Sequence, residues 1–477
     1  MSPEPSPLRR WAPAIALAAL LAVFALAVVV PAWVQAARFC YAYYDLGIYS
    51  QGLALLSWDA PNPWLSGLQR FLFNDHFDPV LWLAKPLTWL FAPPGPAIAA
   101  EALFVLLSAL PLAWLQRRGV LDRRSALLLV ALLLLNPATL QAFAYPAHPT
   151  AWAMLPFSLL GAALVLQERR VALVALLLLF ACKEEFPFVG VMLSAWLLWR
   201  GERRFALQVA ALTGAWLLLV FVVRPWLWGP PANYAASLFE GLSTDPSGYA
   251  LRRLTAPGLS RVGTLLLVLS PLLLWAWRTR ARPDGLLWAL LVPLVAIRFL
   301  GMKWREHYSA PLMAGVVLAL VPLLRGRRVP GWVVLASVVL LTTSGERLLR
   351  QAARAALPAT AATYPRHCPA DPAREASVRA ALARFEALPP GRALLGSNLV
   401  AHVPARPDVS IIDGPQPPDG GGFQYVLVEK PWRGSTYPAT PARVEALIAQ
   451  WRSNAGAELL IDDAHVFLAR GQFTLVP

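Results

Sequence analysis

The chain has 477 residues, of which 57% are hydrophobic and only 14% charged, and its formal net charge is +15. Soluble domains carry about 25% charged residues, whereas here apolar runs close to the ~20 residues that cross a bilayer recur through the larger N-terminal part; an ordinary soluble protein is excluded. The positive charge does not indicate nucleic acid, because no basic face interleaved with aromatic residues is present.

The arginines sit instead in short turns: Arg9-Arg10, Arg117-Arg118, Arg123-Arg124, Arg169-Arg170, Arg200, Arg203-Arg204, Arg278, Arg280, Arg282, Arg325 and Arg327-Arg328. Short Lys/Arg-rich loops stay in the cytoplasm and face anionic headgroups. This pattern predicts a protein of the cytoplasmic (inner) membrane with a cytoplasmic N-terminus.

The first span is expected over 12–34, read as an uncleaved helix because its apolar region exceeds a signal core of about 7–15 residues. An outer loop follows over 35–95, with two amphipathic pieces, Asp45–Trp58 and Phe77–Phe91. Leu46, Tyr49, Leu53 and Leu56 recur at helical spacing, as in a helix lying in the interface. Further spans read 96–115, 125–142 and 150–167. Residues 171–199 are too long for one straight span and are interrupted by Lys183-Glu184-Glu185, so two half-spans meeting at an acidic turn are predicted. After 205–223 and a second outer loop, runs at 262–277, 285–300, 311–324 and 330–343 bring the total to about eleven spans.

The expected domains are a membrane body over 1–343 and a soluble extracytoplasmic α/β domain over 344–477. In the latter, Ala393–Ser397, Ser410–Asp413, Tyr425–Glu429, Leu459–Asp462 and Val466–Ala469 read as strands, and Pro441–Trp451 as a helix. Cys40, Cys182 and Cys368 lack paired spacing, so neither a disulfide framework nor a zinc site is expected.

The polar residues opposite the arginine turns carry the candidate chemistry. Asp45, flanked by Tyr44 and three further tyrosines, fits a helix N-cap or a general base whose pKa partial burial would raise. Asp75, His76 and Asp78 can ligate a divalent cation or form a hydrogen-bonded turn. His148 reads as a cap on a rigid Pro-flanked turn. Lys183, Glu184 and Glu185 embed charge in an apolar run, which costs several kcal/mol unless paired or hydrated, so a functional role is favoured. Lys303, Arg305 and His307 form a basic stretch on the side where such residues are scarce; they can hold a phosphate, or Arg305 can bridge one of the acids. Arg298 can enter the same pocket.

Five segments in this order resemble a family of predicted prokaryotic membrane proteins, domain-of-unknown-function family 2079: Tyr44–Gln51, Asp75–Pro79, His148-Pro149, Lys183-Glu184-Glu185 and Arg305–Tyr308. That family looks like the GT-C class of integral-membrane glycosyltransferases, an analogy of architecture. The resemblance implies a GT-C-like polytopic α-helical fold, a polyprenyl-phosphate-linked sugar donor, an extracytoplasmic glycan, lipid or protein acceptor, and an acidic residue in the first outer loop. By location that residue is Asp45; the paired acids often seen there are absent around it, which leaves Asp75 or Asp78 as alternatives. Asp45, Asp75 and Glu184 are then the candidate catalytic set. Tyr44, Gln51, His76, His148, Lys183, Glu185, Lys303, Arg305, His307 and Tyr308 are candidates for substrate binding. No cofactor is required by the pattern, and a divalent cation stays open. A lipid-sugar transporter or flippase and a non-catalytic scaffold are the competing readings.

Overall fold

The computed structural model describes residues 7–41, 44–232, 242–255, 258–301, 306–344, 370–417, 422–431 and 438–475. Among these, five helices are long and apolar enough to cross a bilayer: Ala14–Ala37, Gly95–Arg117, Arg123–Ala142, Arg203–Trp228 and His307–Leu324. Shorter apolar helices stand beside them at Pro149–Val165, Pro187–Trp199, Leu266–Arg278, Gly285–Arg298 and Gly331–Leu341. With Arg169–Phe180 these make eleven apolar helices among the described residues, in line with the expected number of about eleven spans, two of them half-spans; the helix that ends at Arg278 begins at Gly258 and has 21 residues.

The 171–199 run breaks as its charges dictate. Helices Arg169–Phe180 and Pro187–Trp199 flank a turn that carries Lys183, Glu184 and Glu185. Close helix contact packs this broken pair against its neighbours. A Cβ on Gly190 would lie 2.3 Å from Thr213 Oγ1 and 2.6 Å from the Phe180 ring, so only glycine permits the approach.

The helix expected to lie in the interface forms at Tyr44–Leu55. Leu46, Tyr49, Leu53 and Leu56 are buried as predicted, but so are Gly47, Ser50 and Gln51. The one-sided picture fails because the C-terminal domain covers the other side: Val400 lies 3.5 Å from the Cβ position of Gly47. The next stretch contains a hairpin, β1 (Trp64–Leu65) against β2 (Arg70–Phe71), and short helical turns at Leu72–Asp75, Leu81–Ala84 and Lys85–Trp89. The predicted amphipathic helix over 77–91 is thus two short pieces.

The C-terminal part is a five-stranded mixed sheet, with β3 (Ala393–Leu395), β4 (Val409–Ile411), β5 (Phe423–Glu429), β6 (Glu458–Asp462) and β7 (Val466–Phe473) in the order β4-β3-β5-β7-β6. Strand β3 runs parallel to β4 and β5, while β7 is antiparallel to β5 and β6. Helix Pro372–Glu386, which the sequence reading did not anticipate, covers one face through Val378, Ala381, Leu382 and Phe385. Helix Pro441–Arg452 covers the other with Val444, Leu447, Ile448 and Trp451. A sheet buried on both faces needs continuous apolar strands, as β3 supplies with Ala393-Leu394-Leu395.

A buried polar joint docks this domain. Arg374 pairs with Glu429 through two hydrogen bonds, one of 3.0 Å, and donates to the carbonyls of Arg38 at 2.9 Å and Phe39 at 3.4 Å. Asn398 Nδ2 donates to Glu429 and to Phe39 O. The scattered cysteine spacing concealed one cross-link: Cys40, just beyond this joint, is disulfide-bonded, whereas Cys182 is buried and free. Bridging depends on proximity in space, which sequence spacing does not report.

Candidate active site

The turn after Phe180 is the hub of a polar cluster. Glu184 accepts from two groups of the loop after the 44–55 helix: its Oε1 lies 2.9 Å from His76 Nδ1, and its Oε2 takes the Phe77 N–H at 3.1 Å. The Val80 N–H donates to Ala181 O at 2.9 Å and closes the same junction. Glu185 receives both terminal nitrogens of Arg298, Nη1 at 3.1 Å, and Arg298 Nε donates to Tyr308 O at 2.5 Å. Lys183 Nζ donates to Thr150 Oγ1 at 3.3 Å and lies 4.9 Å from the centre of the Tyr308 ring. Three distant segments, 72–80, 148–152 and 306–309, are thus tied to one broken helix pair.

Aromatic groups fill the space between these ties. His148 and His307 stack with ring centres 3.8 Å apart and planes 7° from parallel. Tyr308 lies 4.1 Å from His307, and Tyr49 meets His148 edge-on at 5.3 Å. His148 does cap its helix: Nδ1 accepts from Thr150 N at 3.1 Å. That hydrogen bond assigns the remaining proton of neutral His148 to Nε2, which faces the Tyr49 hydroxyl at 3.4 Å.

Electrostatically the carboxylates fall into two classes. Burial by itself would raise Glu184, but the charge and hydrogen bond of His76, with Lys183, outweigh it and hold the carboxyl below the ordinary range. Glu185 is likewise driven up by burial and brought below its usual value by Arg298 and Lys183. Asp78 behaves oppositely. Burial and the Glu184 charge push it well above the carboxylate range, and neither oxygen has a donor at full hydrogen-bonding geometry. The same burial, with the charges of Asp78, Asp45 and Asp75, raises the Tyr49 phenol.

Among the sequence-derived candidates, His76, His148, Lys183, Glu184, Glu185, His307 and Tyr308 come together. Asp75 is buried nearby and bridges Arg70 at 3.3 Å. Asp45 occupies the first turn of its helix and is half-buried. Gln51 goes elsewhere: its amide donates to Ser66 Oγ at 3.2 Å and to Arg406 O at 3.4 Å, at the seam with the C-terminal domain. Lys303, Arg305 and the Tyr44 side chain lie outside the described residues. Among the described residues, no three of His, Cys, Asp and Glu converge in a metal-binding arrangement; Asp75 and His76 are engaged by Arg70 and Glu184.

Two participants escaped the sequence reading. Glu101, fully buried in Gly95–Arg117, accepts the His148 N–H at 2.7 Å. Arg224, also buried, donates to Phe73 O at 3.2 Å, and Asn74 Nδ2 reaches Trp228 O at 2.6 Å beside it. A lone ionisable group inside or at the end of an apolar run was the available signal.

The model of the predicted membrane protein family DUF2079 matches residues 35–361. The chain belongs to this family. Its match includes the loop over 35–95, the broken helix pair and the segment 306–309. No curated protein matches the DUF2079 chain. Among solved structures, the crystal structure of ArnT from Cupriavidus metallidurans bound to undecaprenyl phosphate is similar: the TM-score is 0.54 at 14% identity, over 94% of this chain and 97% of that one. At that identity the likeness concerns the fold, and it extends through both the membrane body and the C-terminal domain. The DUF2079 chain is therefore polytopic and GT-C-like in architecture, as the motifs had implied.

Proposed function

We propose that the chain is a membrane glycosyltransferase that moves a sugar from a polyprenyl-phosphate donor to an extracytoplasmic glycan, lipid or protein. The observation that carries this reading is the convergence of the 44–55 helix, the 72–80 loop, the acidic turn and Tyr308 in one polar cluster, inside a fold shared with a protein crystallised with undecaprenyl phosphate. The fold is the weaker support of the two, because one fold hosts many functions.

In this reading Asp45 takes the proton of an acceptor hydroxyl, the oxygen attacks the anomeric carbon, and the bond to the lipid phosphate breaks with inversion. The phosphate leaves with the bonding electrons, and cations next to it stabilise the developing charge. Lys303, Arg305 and His307 are assigned that clamp. Glu184 and Glu185 are already balanced by His76 and Arg298. We therefore assign them to holding the site together, with Asp75 and Asp78 as alternative bases. The membrane body over 1–343 carries the chemistry, and the 344–477 domain recognises the acceptor. The disulfide at Cys40 supports an oxidising, extracytoplasmic location for this face.

The test is Asp45→Asn and Arg305→Ala in protein expressed at normal levels. Loss of a general base costs on the order of 10²–10⁴-fold in rate, and lipid-sugar-dependent modification of the cell falls accordingly. Unchanged modification in both variants removes this assignment. The broken pair Arg169–Phe180 and Pro187–Trp199 also favours a flippase. Movement of a labelled lipid-sugar by purified protein in liposomes, without acceptor, selects that reading instead.

A further inference from the structure

The half-helices that meet at the acidic turn begin and end, at their other ends, around a separate cavity. It has a volume of about 850 Å³ and is lined by arginine-turn residues, among them Arg169, Arg200, Glu202, Arg282 and Asp284. Helix Arg169–Phe180 opens at this cavity and closes at the acidic turn, 12 residues on. At 1.5 Å per residue that separates the two sites by roughly 18 Å.

The charges lining the cavity do not cancel. Arg169 is bound to Glu202 at 3.1 Å, and Asp284 spends Oδ1 on capping the Leu286 N–H at 2.8 Å. Among the described residues, Arg200 and Arg282 meet no carboxylate, and both are exposed to the cavity or its mouth. The cavity walls are held in place. Trp196 packs so closely on Gly285 that an added Cβ would lie 2.6 Å from its ring. Gln167 and Trp196 add neutral donors to the lining. An open-mouthed pocket with surplus guanidinium, forked donors and an aromatic wall at a helix-bundle end matches a phosphate, since guanidinium binds phosphate oxygens in pairs. Basic pockets between helices on the arginine-rich side of a membrane take lipid headgroups by this chemistry.

We propose that this cavity is a second binding site, for a phosphate-bearing anion held by Arg200 and Arg282, separate from the polar cluster. The ligand chemistry is a phosphate diester or monoester, supplied by an anionic lipid headgroup or by soluble phosphate. The proposal does not depend on the transferase reading, because it concerns the opposite face.

The full chain in detergent is titrated with phosphatidylglycerol, with phosphatidylcholine and with inorganic phosphate, and bound ligand is counted by native mass spectrometry alongside thermal unfolding. Saturable, stabilising binding of phosphatidylglycerol over phosphatidylcholine identifies a lipid headgroup. Equivalent binding of inorganic phosphate that competes with the lipid identifies a soluble source. In either case R200Q/R282Q weakens binding by at least about tenfold, and R200K/R282K restores part of it. R170Q/R204Q, which removes the same charge outside the cavity lining, leaves it unchanged. Equal loss in R170Q/R204Q, or undiminished binding in a folded R200Q/R282Q protein, overturns the proposal.

Discussion

Two buried carboxylate–guanidinium pairs, one in each half of the molecule, have opposite electrostatic outcomes. Glu185 faces Arg298 with Lys183 close by, and its carboxyl is held below the ordinary range although burial alone would raise it. Glu429 faces Arg374 and Asn398, and there burial dominates, leaving the carboxyl above its ordinary value. Both are forked pairs, end-on through the two terminal nitrogens of Arg298 and side-on through Nε and Nη2 of Arg374. Burial is the largest influence at each carboxyl; the charges of Arg298 and Lys183 outweigh it at Glu185, whereas Arg374, Asn398 and His465 do not at Glu429. The acidic turn is consequently a charge-rich junction, and the domain joint is a desolvated clamp.

The largest effect is expected at the clamp. Arg374→Ala strands a buried Glu429 without its guanidinium and frees the carbonyl of Arg38, so a loss of about 3–5 kcal/mol is expected, read as a drop in the unfolding midpoint of the purified chain. Arg298→Ala should cost less, about 2–3 kcal/mol, because Lys183 remains near Glu185. If the Arg298 variant proves the more damaging, the distinction drawn here is wrong.

Packing at the broken pair comes next. Gly190→Ala forces a methyl against Thr213 and Phe180 and should cost roughly 1–3 kcal/mol. Gly201 lies in the turn just beyond helix Pro187–Trp199, and no neighbouring atom would meet a methyl added there, but its φ of +82° strains any side chain; a smaller loss in Gly201→Ala separates strain from collision.

Acid titration tests the electrostatic contrast directly. The folded-state pKa values of Glu184 and Glu185 are depressed, so their stabilisation exists above the ordinary carboxylate value of about 4.3 and is lost as pH falls below it. The stability gap between the parent chain and E184Q/E185Q should narrow in acid. Glu429 is raised, so its contribution is full below that value and declines as pH rises through the folded pKa. The parent chain should gain on E429Q as pH falls. Gaps that move in the same direction would falsify the two-class picture. The smallest effect is expected at Asp462, which lies on the surface and is held at about 2 by Arg452 and Lys430. Asp462→Asn should shift the midpoint little, and added salt should erase the shift.

Much of the polar cluster was legible in the sequence. Charges inside apolar runs are costly enough to mark themselves, and this drew attention to Lys183, Glu184 and Glu185 and placed the break between two half-helices. His148 announced its capping role through the Pro residues around it. The pairings were not legible. His76 meets Glu184, 108 positions away, and Arg298 meets Glu185 across 113, while Arg305 had been the candidate partner. Gln51 shares a motif with Asp45 but turns toward the C-terminal domain, because its helix is covered on both sides.

By itself, then, the sequence determined the local character of each segment: which runs belong in lipid, which turns carry arginine, and which short runs of the C-terminal part form strands. Those properties follow from local composition and period, and the bilayer reads them one segment at a time. Tertiary structure decided which charge neutralises which, how the C-terminal domain clamps the chain beyond the first span, and that surplus arginines surround a cavity on the far face. These depend on distances between segments far apart in the chain, and hydrophobic patterning is blind to them because it specifies a face and not a partner.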